Sequence, residues 1–285
     1  MLNKRKYILD LLRDQNLESC HFVLFPMSRG VKLSQDDGDL LPDPEVYRRI
    51  IGKLLYLNMT RPDISYVVQQ LSQFLSAPRS SHLNTVVHVL KYLKGTLNHG
   101  LFYPASSEYV LSAYSDADWG TCVDSGRSLS GYCVFLGNAL VSWKTKKQKV
   151  VSKSSIEAEY RSMSKTADEV VWLEGLFSEL HIEVPTPIVL HCDNISAQHI
   201  AENPCFHEKT KHLRSKHHKI DVHYIREQVQ SGFIKLKHVK YALQLADIMT
   251  KPLGADQHRF LSQKIGLVSQ IPVQEWPVLL SPVHS

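Results

Sequence analysis

Tyr109-Val110-Leu111-Ser112-Ala113-Tyr114-Ser115-Asp116-Ala117-Asp118-Trp119-Gly120 is where the pattern of this chain changes. Upstream, apolar residues recur at helical spacing. From Tyr109 to Tyr114 the residues read as a strand, which gives way to an aspartate, Asp116. Three further acids stand in marked settings: Glu159 in Ser-Ser-Ile-Glu-Ala-Glu-Tyr, Asp193 in Leu-His-Cys-Asp-Asn and Asp247 in Leu-Ala-Asp-Ile-Met-Thr-Lys. Two of the four end strand-like runs and two open helix-like segments. A fold that gathers these ends makes an acidic cluster that only divalent cations neutralise.

Downstream of Asp116 the elements alternate. Tyr132–Leu136 and Leu140–Trp143 read as a hairpin about Gly137-Asn138, and Ser154 to about Leu180 as a long helix with Ile156, Tyr160, Met163, Ala167, Val170 and Val171 on one face. Ile188–Leu190 is a fourth strand, Ser196–Ala201 a short helix, Lys219–Val229 a helix, Phe233–Val239 a fifth strand and Leu245–Thr250 a last helix stopped by Pro252. From Gly266, with prolines at 272, 277 and 282, the tail reads as irregular. The sum is an α/β domain with a mixed five-stranded sheet over residues 101–265 and a tail over 266–285. Residues 1–100 read as mainly helical: Lys6–Leu12, Tyr47–Leu57, a helix opened by Arg61-Pro62-Asp63, and a fourth carrying Val86, Val89, Leu90 and Leu93 before Gly95.

Composition sets bounds. The 285 residues are 43% hydrophobic, enough for packed cores, and carry a formal net charge of +5 with 15 histidines, compatible with a polyanionic partner. The five cysteines are scattered without a Cys-x-x-Cys pair, which points away from structural zinc and toward reduced thiols. No run of about 18 apolar residues suggests a membrane span, so a soluble intracellular protein, cytoplasmic or nuclear, is expected.

Local physics ranks the acids. Ser154 with Glu157 fits a capping box, Glu157 reaching back to the Ser154 amide. At about 100° per residue, Glu159 lies roughly 60° from the centre of the apolar stripe and Glu157 about 100° away on the other flank, so Glu159 is better placed to face the sheet. Asp118, two residues after Asp116, presents to the same face and stays its rival.

The order and wording of these motifs resemble ribonuclease H, and specifically the ribonuclease H domain at the end of copia-type retrotransposon polyproteins. Tyr-Ser-Asp116 is similar to the family's strand-embedded aspartate, Glu159-Tyr-Arg-Ser to its glutamate pattern, and Gln-Leu-Ala-Asp247 to its last motif. The resemblance implies adjacent, parallel first and fourth strands and a site of two Mg²⁺ or Mn²⁺ ions. Asp116 would bridge both ions, with Glu159, Asp193 and Asp247 completing the shells. It also implies hydrolysis of the RNA strand of an RNA–DNA hybrid. One departure is that no histidine lies between the fifth strand and Asp247 in Lys240-Tyr-Ala-Leu-Gln244; His238 is nearest, within the strand. An integrase-like nuclease on the same fold fits the wording less well, and a catalytically inactive nucleic-acid-binding relic is the alternative.

Between His207 and Lys240 the chain carries Lys209, Lys211, Arg214, Lys216, Lys219, Arg226, Lys235, Lys237 and Lys240, an excess suited to a hybrid's phosphates. A solvated helix face is the plainer reading, and a metal cluster of His207, His212, His217, His218 and His223 a third. Lys144, Lys146, Lys147 and Lys149 form a second basic strip. The segments Asn3–Leu12, Tyr47–Leu57 and Arg61-Pro62-Asp63-Ile64 resemble the thumb and connection stretch after the palm of copia-type reverse transcriptases. No Tyr-x-Asp-Asp polymerase motif is found, Asp36-Asp37 following Ser34-Gln35 in a polar loop. A truncated transposon copy that does not synthesise DNA by itself is expected, with a palm from another chain as a conceivable partner and no membrane.

Overall fold

The structure, a computed structural model, describes residues 1–202 and 216–269, with the side chains of residues 216–222 outside the description. It opens with helices α1 (Arg5–Asp14), α2 (Pro44–Leu57), α3 (Ser65–Leu71) and α4 (Ser80–Gly95), followed by a three-residue strand β1 (His99–Leu101). Asp43 starts α2 by accepting a hydrogen bond from the Glu45 amide at 2.9 Å, with Pro44 in the first turn where its missing donor costs nothing. Ile8, Leu11 and Leu12 of α1, Ile50, Ile51 and Leu54 of α2, Val67 and Val68 of α3 and Val86, Val89 and Leu90 of α4 form one buried core. Among the described residues no helix is long and apolar enough to cross a membrane.

The second part is built on strands β2 (Leu111–Asp118), β3 (Leu129–Leu136), β4 (Ala139–Lys147), β5 (Ile188–Cys192) and β6 (Ile234–His238). Interleaved with and following these strands are helices α5 (Ser155–Glu179), α6 (Ile195–Glu202), α7 (Lys216–Gln230), α8 (Asp247–Thr250) and α9 (Ala255–Lys264). The strands make a mixed five-stranded sheet in the order β4-β3-β2-β5-β6. β2, the first strand of this sheet, is antiparallel to β3 and parallel to β5, the fourth, as the sequence resemblance implied. Gly137 takes the tight β3–β4 turn at φ +56°, a conformation that side chains rarely adopt.

Three features depart from the sequence reading. β2 continues through Asp116 to Asp118, so both aspartates lie within the strand rather than after it. α9 was not anticipated, because only His258, Leu261 and Ser262 of its ten residues are buried, too weak a stripe to register. The tail begins with a strand, β7 (Leu267–Ser269), antiparallel to β1. Gly266 turns into it at φ +87°, and residues 270–285 lie outside the described residues.

Alternation along the strands divides the sheet's two faces. Leu111, Ala113, Val134 and Leu190 pack against Tyr160, Met163, Ala167 and Val170 of α5, whereas Cys133, Phe135 and Leu140 face Ile248, Met249, Leu261 and Ile265 of α8 and α9. Gly131, opposite Asp116 on β3, permits the close approach of α8. A Cβ there would lie 2.6 Å from Met249 Cβ and 2.7 Å from Thr250 Cγ2.

The helical part is tied to α9 by a buried polar knot. Arg61 donates to both oxygens of Asp63 at 2.9 and 2.6 Å, Tyr92 donates to Asp63 Oδ2 at 2.6 Å, and His258 of α9 lies 3.1 Å from the Asp63 carbonyl. The guanidinium also donates to Thr96, so this fully buried ion pair keeps its hydrogen-bonding groups occupied.

Candidate active site

The β2–β5 pairing aligns Tyr114 with His191, which puts Asp116 and Asp193 level, each two residues farther on. Ser162 of α5 donates to the Asp116 carbonyl at 2.7 Å and Gln244 to the Ser115 carbonyl at 3.0 Å, so both faces of the sheet fix this strand end. Asp247 enters as the first residue of α8, seated by Gly131. Carboxylate oxygens of Asp116, Asp193 and Asp247 lie within 4.8 Å of one another. From the opposite face Glu159 accepts from the Ala117 amide at 3.4 Å, and one of its oxygens lies within 4.8 Å of the Cys192 sulfur and an Asp193 oxygen. All four acids chosen from the sequence therefore meet at one end of the central strands.

Burial and mutual repulsion mark the cluster. Glu159 is raised well above the usual carboxylate range, first by burial and then by Asp116 and Asp193. Asp193 is raised by burial and Asp116, and Asp247 is pushed up to about 7 by burial and then Asp116, with Lys251 acting against the shift. Asp247 Oδ2 is buried without a hydrogen-bond partner among the described residues. An orphaned carboxylate oxygen among convergent hard oxygen donors fits a divalent cation of the Mg²⁺ or Mn²⁺ kind. The Cys192 thiol is a poor ligand here, since burial and Glu159 raise its pKa far above the ordinary thiol range.

The two sequence rivals occupy different surroundings. Asp118, pushed up to about 6 by burial and then Asp116, lines a cavity of about 500 Å³ with Tyr66, Gln70 and Trp119, and it is not among the groups whose oxygens converge within 4.8 Å. Glu157 is buried in a structural role: its carboxylate accepts from Arg161 at 2.6 Å and from the Lys153 amide at 2.8 Å. Ser154 Oγ accepts from the Glu157 amide at 3.2 Å, so the cap forms, but the glutamate reaches one residue past the expected Ser154 amide.

The basic segment is only partly described. Lys209, Lys211 and Arg214 lie outside the described residues, and Lys216 and Lys219 fall in α7 without described side chains. His207 and His212 likewise lie outside the described residues, and His217 and His218 fall in α7 without described side chains. Arg226 corrects the sequence reading: it is buried and donates to the Ile200 carbonyl at 3.1 and 2.9 Å, tying α7 to α6 instead of offering its charge to phosphates. His238 ends β6 paired with Cys192, exposed beside the acidic end of the sheet.

Two residues near the acids went unremarked in the sequence. Thr250 Oγ1 donates to Asp116 Oδ2, and Lys251 Nζ lies 3.1 Å from Asp116 Oδ1 and 2.6 Å from Asp247 Oδ1. The i,i+4 spacing of Asp247 and Lys251 was a readable signal. A lysine thus supplies charge that the sequence reading left to divalent ions alone. Burial opposes its ionisation, but Asp116 and Asp247 raise its pKa above the usual lysine range.

The chain is 46% identical over 271 residues to a retrovirus-related Pol polyprotein from transposon RE1 of Arabidopsis thaliana and 44% identical over 271 residues to that from transposon RE2 of the same plant. Each match covers 95% of this chain and 18% of the relative, so the chain spans about a fifth of their length. Among solved structures, the N-terminal RNase H domain of a Mycobacterium tuberculosis protein matches over 55% of this chain and 98% of that chain, at 14% identity and a TM-score of 0.36. No protein-family model matches. With near-full-length similarity to these polyproteins, the chain belongs to the copia-type retrotransposon Pol family, of which its five-stranded α/β part forms one module.

Proposed function

We propose that this module, over residues 101–265, hydrolyses the RNA strand of RNA–DNA hybrids with Asp116, Glu159, Asp193 and Asp247 as its metal-holding residues. The observation that carries the reading is the convergence of Asp116, Asp193 and Asp247 oxygens within 4.8 Å, with Glu159 adjoining through Asp193. Bound Mg²⁺ or Mn²⁺, as a pair of ions, supplies activation of water and stabilisation of the leaving 3′ oxygen in an in-line displacement.

The chain's own residues supply position and electrostatics. Asp116 contributes to the convergence with Asp193 and Asp247, and the Thr250 hydroxyl and Lys251 ammonium fix the orientation of its two oxygens. Glu159 is held by the Ala117 amide and Asp193 by its place at the end of β5. The lysines and arginine at 209, 211, 214, 216 and 219 are proposed to track phosphates, and the helices of residues 1–100 to grip the hybrid beyond the site. The reaction belongs to a protein acting in the cytoplasm or nucleus, where hybrids arise.

Cleavage of an end-labelled hybrid with Mg²⁺, run beside duplex DNA and duplex RNA, tests the proposal. RNA-strand cleavage confined to the hybrid is expected. A folded protein that binds the hybrid without cutting it would instead be the inactive relic.

A further inference from the structure

The Asp116–Asp247 side of the cluster already holds a cation that belongs to the chain. Lys251 Nζ sits 3.1 Å from Asp116 Oδ1 and 2.6 Å from Asp247 Oδ1, bridging one oxygen of each of two carboxylates that converge in the cluster. The placement follows from the fold: α8 is a single turn, Asp247 is its first residue, and Lys251 follows its last, so the two side chains share a face. The remaining Asp116 oxygen is taken by Thr250, and the remaining Asp247 oxygen has no partner among the described residues. An ammonium and a divalent ion cannot both occupy this position, because they would share the same lone pairs and repel at close range. The ammonium has somewhere to go. Its side chain is 22% exposed, and Nζ lies 5.3 Å from the ring centroid of Tyr241, itself exposed at the surface.

We infer that Lys251 is a tethered counter-ion that competes with the divalent cation for Asp116 and Asp247 and swings toward Tyr241 when the ion enters. In the metal-free protein it offsets part of the carboxylates' repulsion, and it weakens metal binding by the free energy of the contacts that must be broken. This rests on the cluster being a metal centre, so the test separates the two ideas.

Mn²⁺ binding is followed by electron paramagnetic resonance of the free ion, together with melting midpoints with and without saturating Mn²⁺. The proteins compared are the wild type, Lys251→Gln, Lys251→Arg and Asp116→Asn. Lys251→Gln is expected to bind Mn²⁺ about tenfold or more tightly and to gain more in midpoint than the wild type, whereas Lys251→Arg, which keeps the charge, stays near wild type. A Gln variant that folds only with Mn²⁺ supports the inference equally. A Gln variant that binds no more tightly, or stays unfolded at saturating Mn²⁺, overturns it while Asp116→Asn loses the ion. Undiminished binding by Asp116→Asn overturns the metal-centre reading itself.

Discussion

Replacing Asp247 by asparagine should flatten the pH dependence of stability in the metal-free protein. The Asp247 side chain is fully buried, one oxygen has no partner among the described residues, and its pKa is raised from 3.8 to about 7 by burial first and Asp116 second. A carboxyl raised in the folded state favours folding fully below its unfolded pKa, and that contribution is lost as pH rises through the folded value. The window here runs from about pH 4 to about pH 7. A shift of roughly three units at about 1.4 kcal/mol each sets a ceiling of about 4 kcal/mol, lowered in practice by coupling to Asp116 and Lys251. Urea unfolding from pH 4 to 8 in chelator, with wild type and Asp247→Asn side by side, isolates this group, because His258, lowered by burial, contributes to both proteins alike. Wild type minus variant should fall with rising pH, and saturating Mg²⁺ should remove most of the fall by stabilising the ionised form. Parallel profiles in chelator would refute the electrostatic account of the cluster.

The remaining expectations concern neighbouring residues. Glu157→Ala should cost about 3 kcal/mol or more, above the ~1 kcal/mol of a lost cap, because it also strands the buried Arg161; Glu159→Gln should leave metal-free stability unchanged or raise it, and chemical denaturation distinguishes the two. Asp63→Ala should cost about 3–5 kcal/mol by leaving Arg61 buried without its carboxylate, measured by the same unfolding. Lys216→Ala with Lys219→Ala should reduce the slope of log hybrid affinity against log salt by up to about two charges' worth, whereas Arg226→Ala should lower stability and leave the slope unchanged.

The strands themselves were legible as β-branched and aromatic runs broken by Gly137-Asn138 and by the Ser154 cap, whereas the pairing of the first with the fourth came only from the family resemblance. Glu159's inward direction followed from helical periodicity. What stayed hidden depends on long-range proximity. The i,i+4 spacing of Lys251 from Asp247 was readable, but its contact with Asp116, 135 positions away in sequence, exists only once α8 packs over Gly131. Arg226 has the composition of a phosphate contact, yet Ile200's carbonyl at the end of α6 claims it, and only the packing of α6 on α7 shows that. β1 and β7, three residues each, are too short to show a period and exist because the chain's two distant segments meet.

Single-turnover cleavage of a labelled RNA–DNA hybrid in Mg²⁺ by Asp116→Asn and Asp118→Asn tests the central claim most directly. Asp116 joins the convergent oxygens of Asp193 and Asp247, whereas Asp118 lies along the cavity beside Tyr66 and Trp119. The expected result is a folded Asp116→Asn protein with no detectable cleavage beside an Asp118→Asn protein that still cuts. An active Asp116→Asn protein beside an inactive Asp118→Asn protein would contradict the assignment of the site.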